Sequence, residues 1–146
     1  MLYISSDHAG FKLKNLLTDK LQNNLKVDFE DMGPKQYDPE DDFPDFAAAL
    51  AKKVVKNQNN RGILICGSGH GMCIAANKIK GARAILGASI ESTELGRRDN
   101  DANILCMSGH VLSLEHALAI VKRFLETDFD NKERRLRRLK KISNLE

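Results

Sequence analysis

Tryptophan is absent from this 146-residue chain, and aromatic residues make up only 5% of it. Stacking on bases or sugar rings therefore has little to work with. No stretch approaches the roughly 18 consecutive apolar residues that a membrane-spanning helix needs. The opening segment, Met1 to Asp7, lacks a basic region and has too short an apolar run for a signal peptide. The sequence thus predicts a cytoplasmic protein with no membrane partner. The three cysteines, Cys66, Cys73 and Cys106, form no paired framework, and the odd count fits reduced thiols. Their spacing gives no zinc ribbon. Internal repeats, low-complexity tracts and linkers are also missing, so residues 1–146 are expected to form one domain.

Charge is present in both signs but unevenly placed. The whole chain carries 23 Lys and Arg against 20 Asp and Glu, a net of +3. Lys132 to Lys141 alone holds seven basic residues and one acid, a net of +6, which leaves −3 for the rest. An acidic body with one basic segment argues against a nucleic-acid binder with a broad basic face.

Short β-rich runs alternate with helical patterns. Strands are expected at Leu2–Ser5, around Val27 and Phe29, at Gly62–Cys66, at Ala82–Leu86 and at Ile104–Met107. Helices are expected from Phe11 to Leu21, Phe46 to Val55, Ile74 to Ile79, Ser92 to Arg98, Leu114 to Leu125 and Lys132 to Ile142. Gly96 weakens the fourth. An acidic, proline-containing loop runs from Asp31 to Pro44. This alternation predicts a parallel sheet covered on both faces, with ligands at the carboxyl edge of the strands.

The residues following the strands carry the chemistry. They are Ser6-Asp7-His8-Ala9-Gly10, Gly67-Ser68-Gly69-His70-Gly71, Ala88-Ser89 and Ser108-Gly109-His110. The alternating glycines let backbone approach a ligand and turn N–H groups toward it, which suits a phosphate or an oxyanion. A tight strand-to-helix turn without a ligand accounts for the same glycines. The loop is neither a dinucleotide fingerprint, whose third glycine would fall on Met72 or Ile74, nor a P-loop, since no Gly-Lys-Ser/Thr is present. Cys66 is either a small core residue or a thiol activated by the helix end, poised as base or nucleophile. Cys73 and Cys106 read as core. Arg134 and Arg138 are four apart and share a helix face, where two guanidiniums can grip one phosphate. Arg135, Arg137, Lys140 and Lys141 read as solvated surface.

Together the motifs Ser6-Asp7-His8-Ala9-Gly10-Phe11, Asp42-Phe43-Pro44, Gly62 through Gly71, Ile74-Ala75-Ala76-Asn77-Lys78 and Asn100-Asp101-Ala102-Asn103 resemble the ribose-5-phosphate isomerase B family, which also includes the galactose-6-phosphate isomerase subunits. The likeness runs from about Leu2 to Ile142. It implies a three-layer α/β/α sandwich with a five-stranded parallel Rossmann-like sheet and an extended C-terminal helix (131–145) that reaches a partner subunit. It also implies a metal-free, cofactor-free aldose–ketose isomerase working as a homodimer or tetramer with shared active sites.

By the same resemblance Cys66 abstracts the proton, since the glutamate that serves another branch is replaced here by Met72. Gly67, Gly69 and Gly71 stabilise the enediolate with backbone N–H groups, and Ser68 shuttles protons. Asp7 and His8 hold hydroxyls and the phosphate side. Asn100 binds substrate from the partner, and Arg134 with Arg138 binds phosphate. Asp99 stands where the family carries its ring-opening histidine and is the candidate catalytic group there, although an aspartate ionised at pH 7 is a poor acid; His110 stands where the family often carries an arginine and could still bind phosphate, more weakly. Phe43 replaces a tyrosine. His70, at a loop position that is usually not histidine, either takes over ring opening or simply faces solvent. The default substrate pair is ribose 5-phosphate and ribulose 5-phosphate. A six-carbon sugar phosphate of galactose or allose type and a weakly active sugar-phosphate binding protein are the alternatives. Zinc on His8, His70 and His110, or nucleic acid on the basic segment, has less in its favour.

Overall fold

In the computed structural model, which describes residues 1–146, the alternation becomes eleven elements. They are β1 (Leu2–Ser6), α1 (Phe11–Asn23), β2 (Phe29–Asp31), α2 (Phe43–Val54), β3 (Arg61–Cys66), α3 (His70–Ala76), β4 (Ala84–Leu86), α4 (Ile90–Asn100), β5 (Ile104–Ser108), α5 (Leu114–Glu126) and α6 (Glu133–Ser143). The strands form one all-parallel sheet in the order β2-β1-β3-β5-β4.

That order assigns the helices to faces. Crossovers from β1 to β2 and from β4 to β5 run one way along the sheet, and those from β2 to β3 and β3 to β4 run the other. Right-handed crossovers then put α1 and α4 on one face and α2 and α3 on the opposite face. The cores agree. Leu13, Leu17, Leu21, Ile120, Val121 and Phe124 pack with Ile63, Ile65, Leu105 and Met107 on the first face. Leu50, Val54, Met72 and Ala76 pack with Leu64, Cys66, Ile104 and Cys106 on the second. Successive residues of β3 thus enter different cores, which is why its sequence is continuously apolar. No helix is long and apolar enough to cross a membrane.

Element bounds differ from expectation for local reasons. The helix expected from Phe46 begins at Phe43, because Pro44 occupies the first turn, where its missing N–H costs nothing. α3 begins at His70 rather than Ile74, so the last two residues of the Gly67–Gly71 segment are already helix. Val27 and Ala82 fall outside their strands. Gly96 does not interrupt α4. A Cβ there would lie 2.4 Å from Ile85 Cδ1, so the glycine lets the helix pack closely on β4.

Arg135 departs most from expectation. It is buried, not solvated, and pairs with Asp99 at 2.6 Å and with Asp130. This pairing fastens α6 to the end of α4. Arg134 and Arg138 are exposed and have no partner within the chain.

Two stability predictions follow from the packing. A Cβ on Gly10 would sit 2.1 Å from the Ile65 carbonyl oxygen, which is backbone and cannot step aside. Gly10→Ala is expected to cost about 3 kcal/mol in urea unfolding. Arg135→Ala removes the buried cation that Asp99 and Asp130 share and leaves them only the more exposed Arg98 and Lys132, so about 2 kcal/mol of lost stability is expected. Limited proteolysis should then cut first around residues 128–133.

Candidate active site

The carboxyl ends of β1, β3 and β5 are adjacent in the sheet, and the turns that follow them interlock through backbone. Asp7 N–H donates to Ile65 O at 3.2 Å. Gly109 N–H donates to Cys66 O at 2.8 Å, and His110 N–H to Gly67 O at 3.2 Å. Ser108 Oγ donates to Gly67 O at 2.7 Å and accepts from Val111 N at 3.1 Å. A Cβ on Gly109 would come within 2.7 Å of Ala9 O. The three turns therefore form one floor.

Cys66 is the last residue of β3, and its side chain faces the α2/α3 core at 5% exposure. Its Sγ accepts the Gly69 N–H at 3.1 Å. Gly69 has φ +83°, a conformation that favours glycine, and this bends the loop back over the sulfur. His70 N–H donates to Ser68 Oγ at 3.3 Å. The N–H groups of Gly71 and Met72, in the first turn of α3, have no acceptor within the chain. Phe43 packs on Gly71, where a Cβ would lie 2.8 Å from the ring.

Beside this loop a cavity of about 190 Å³ opens between Ser68, His70, Leu86, Ser108, Val111 and their neighbours. His70 and Ser68 are exposed at its rim. His110 is exposed too, with its ring close over Gly67.

The turn after β1 completes this edge. Buried Asp7 accepts the Gly10 N–H at 2.9 Å. Burial pushes its carboxyl above the usual carboxylate range, against the opposing pull of that N–H. His8 Nδ1 lies 2.6 Å from Asp41 Oδ1, and this hydrogen bond raises the imidazole above its ordinary 6.5.

The sheet edge thus brings together Asp7, His8, Cys66, Gly67, Ser68, Gly69, His70, Gly71 and His110. It does not bring in Asp99, Asn100, Arg134 or Arg138 of the same chain. Asp99 and Asn100 end α4, which leads into the amino end of β5, at the opposite edge of the sheet. α6 lies along that edge too, held at one end by Asp99 and at the other by the Gly81 N–H, which donates to Glu146 at 2.7 Å. Asp99 is engaged by Arg98 at 3.0 Å and Arg135 at 2.6 Å. The edge histidines do not converge, and no three His, Cys, Asp or Glu side chains group as metal ligands.

Sequence reasoning missed Asp41 and Ser108. Asp41 is one of several acids in the Asp31–Pro44 loop, and only the folded loop shows which one meets His8. Ser108 was visible as a strand-end residue, but its role as a brace between two turns was not.

Comparison with known proteins agrees with this fold. The family model described as Ribose/Galactose Isomerase matches residues 2–142. A probable ribose-5-phosphate isomerase B of Mycoplasma pneumoniae is 43% identical over 88% of this chain and 84% of its own. A D-erythrulose-4-phosphate isomerase of Mycolicibacterium smegmatis is 39% identical over 88% and 86%. The crystal structure of ribose-5-phosphate isomerase B from Mycoplasma genitalium, with bound ribulose 5-phosphate, superposes with a TM-score of 0.92 at 40% identity, covering 99% of this chain and 94% of that one. The five-stranded sheet, the glycine loop over Cys66 and the match along nearly the whole chain have one reading: this chain belongs to the ribose/galactose isomerase family.

Proposed function

We propose that the chain interconverts an aldose phosphate and its ketose, with ribose 5-phosphate and ribulose 5-phosphate as the pair. The observation that carries the assignment of roles is Cys66 Sγ beneath the glycine loop, accepting the Gly69 N–H at 3.1 Å. A sulfur so held is aimed as an acceptor, next to backbone donors that have nothing else to bind.

Starting from the open-chain aldose, the Cys66 thiolate takes the proton from C2. The C–H electron pair forms the C1–C2 double bond, and the carbonyl π pair moves onto O1, giving an enediolate. Free N–H groups of the Gly67–Gly71 loop stabilise that charge. Ser68 moves a proton from O2 to O1, and the Cys66 thiol returns its proton to C1. The product is the ketose, and the thiolate is regenerated. Asp7 and His8 hold the sugar hydroxyls and the phosphate side, with His110 close by.

Ring opening falls to His70, whose ring is exposed at the cavity rim, while Asp99 is occupied by two guanidiniums. Arg134 and Arg138 lie at the far edge with no partner of their own. In a homodimer or tetramer, they and Asn100 serve the neighbouring copy's site, where the arginines bind phosphate.

Cys66→Ala should lower kcat/KM by roughly a thousandfold with unchanged circular dichroism. Full activity on a panel of four- to six-carbon sugar phosphates would remove Cys66 as the base. Tight binding across that panel without turnover by the unaltered protein would instead make this a binding protein. Mixing Cys66→Ala chains with Arg134→Ala/Arg138→Ala chains should restore part of the activity, because one of the two sites in a mixed dimer would be intact. No recovery after verified subunit exchange would show that each copy supplies its own phosphate ligands.

A further inference from the structure

The acidic loop between β2 and α2 contributes one side chain to the carboxyl edge that the proposed chemistry does not use. Asp41 is only 8% exposed at its side chain, although four of its loop neighbours, Tyr37 to Glu40, are exposed. Its Oδ1 accepts twice from one residue, from His8 N–H at 3.1 Å and from His8 Nδ1 at 2.6 Å. Its Oδ2 is buried with no partner at all. A buried carboxylate oxygen without a donor is costly, so the remaining charge needs a cation close by. Only His8 is in contact to supply it. The opposite imidazole nitrogen, Nε2, has no acceptor in the chain, and the His8 side chain is 35% exposed.

We propose that Asp41 is a positioning residue that holds His8 with a proton on Nδ1 and presents Nε2–H, as part of a cationic ring, to the anionic substrate. This rests on the isomerase reading only for the identity of that substrate. The phosphate side of the sugar, or the enediolate, is the chemistry that such a donor fits.

The surroundings of His8 act in the same direction. From its own turn Asp7 faces it, and from the loop Asp41 and Asp38 do, all three acting to raise the imidazole, with the Asp41 hydrogen bond foremost and desolvation opposing. Tyr37 packs edge-on against the ring at 6.3 Å and against Phe11 at 6.1 Å, which steadies the loop and the imidazole together. The sign is then definite. A raised imidazole carries its charge at low pH and keeps it further into the neutral range than a free histidine does. The charge is lost as pH rises through the raised value.

The experiment uses the full chain and Asp41→Asn, with Asp41→Ser as a second uncharged variant should the first fail to fold. Both can still accept the His8 backbone N–H, so they remove charge rather than the turn. The His8 ring is followed by NMR across pH. Its midpoint should lie above 6.5 in the unaltered protein and fall toward 6.5 in the variants. A histidine with a midpoint near 6.5 is only about 3% protonated at pH 8. Binding of ribose 5-phosphate by calorimetry should therefore weaken roughly tenfold at pH 8 and less than twofold at pH 5.5. In a His8→Gln background the Asp41 substitution should change binding little at either pH.

An unmoved midpoint, or equal losses at both pH values, overturns the proposal. So does an undiminished Asp41 effect without His8. Absence of turnover on every sugar phosphate would defeat the isomerase reading alone. The NMR arm, repeated with inorganic phosphate as ligand, would still decide the role of Asp41.

Discussion

Backbone meeting backbone at one edge of the sheet is the constraint on which the rest of this molecule depends. The turns after β1, β3 and β5 are close enough that the Ile65 carbonyl lies where a Cβ of residue 10 would be, and the Ala9 carbonyl lies near that of residue 109. Glycine is required there for proximity. Once the turns are in contact, their amides and carbonyls satisfy one another, from Asp7 to Ile65, Gly109 to Cys66 and His110 to Gly67. The floor is therefore held mainly by backbone, with Ser108 and Asp7 as side-chain braces. Side chains above it, such as Ser68 and His70, are left exposed beside the cavity. Rigidity of this kind is what a site needs when it stabilises a charge that exists only in passing.

The same constraint explains how Cys66 can be both a core residue and the base proposed above. As the last residue of β3 it continues the alternation that puts Leu64 and Cys66 into the α2/α3 core. Its sulfur is packed like a core atom, yet it receives a backbone N–H because Gly69 turns the loop back over it. A cysteine is small enough to end a strand in a core and reactive enough to take a proton. Met72, where another branch of the family carries its glutamate, is fully buried and belongs to the packing.

Legibility in the sequence followed the range of the interactions involved. The alternation of apolar strands and amphipathic helices is local, so every strand and helix was visible, with bounds displaced by one to four residues. The glycine loop, Cys66 and the strand-end histidines were legible because topology alone places them. Arg135 was not. In a segment with seven basic residues nothing local separates the one that turns inward, and its burial depends on Asp99 and Asp130 meeting it from elsewhere. Asp41 was hidden for the same reason among the acids of its loop. Asn100, Arg134 and Arg138 were legible as a motif, but the single chain leaves them far from the turns they resemble partners for.

That separation has a structural logic of its own. Each edge of the sheet carries its own charged groups. The carboxyl edge carries the acids Asp7, Asp38 and Asp41 around His8. The amino edge carries α6 with its free arginines. At the amino edge Arg135 takes up Asp99 and Asp130, so the acids nearest α6 are already paired. Kept a sheet's length away and fastened by Arg135, the neighbouring Arg134 and Arg138 remain unpaired and solvated. A second copy bringing its amino edge against the first one's carboxyl edge would then deliver charges that are still available for substrate. The buried arginine of α6 holds the helix and occupies the nearby acids, which leaves the exposed arginines beside it unpaired.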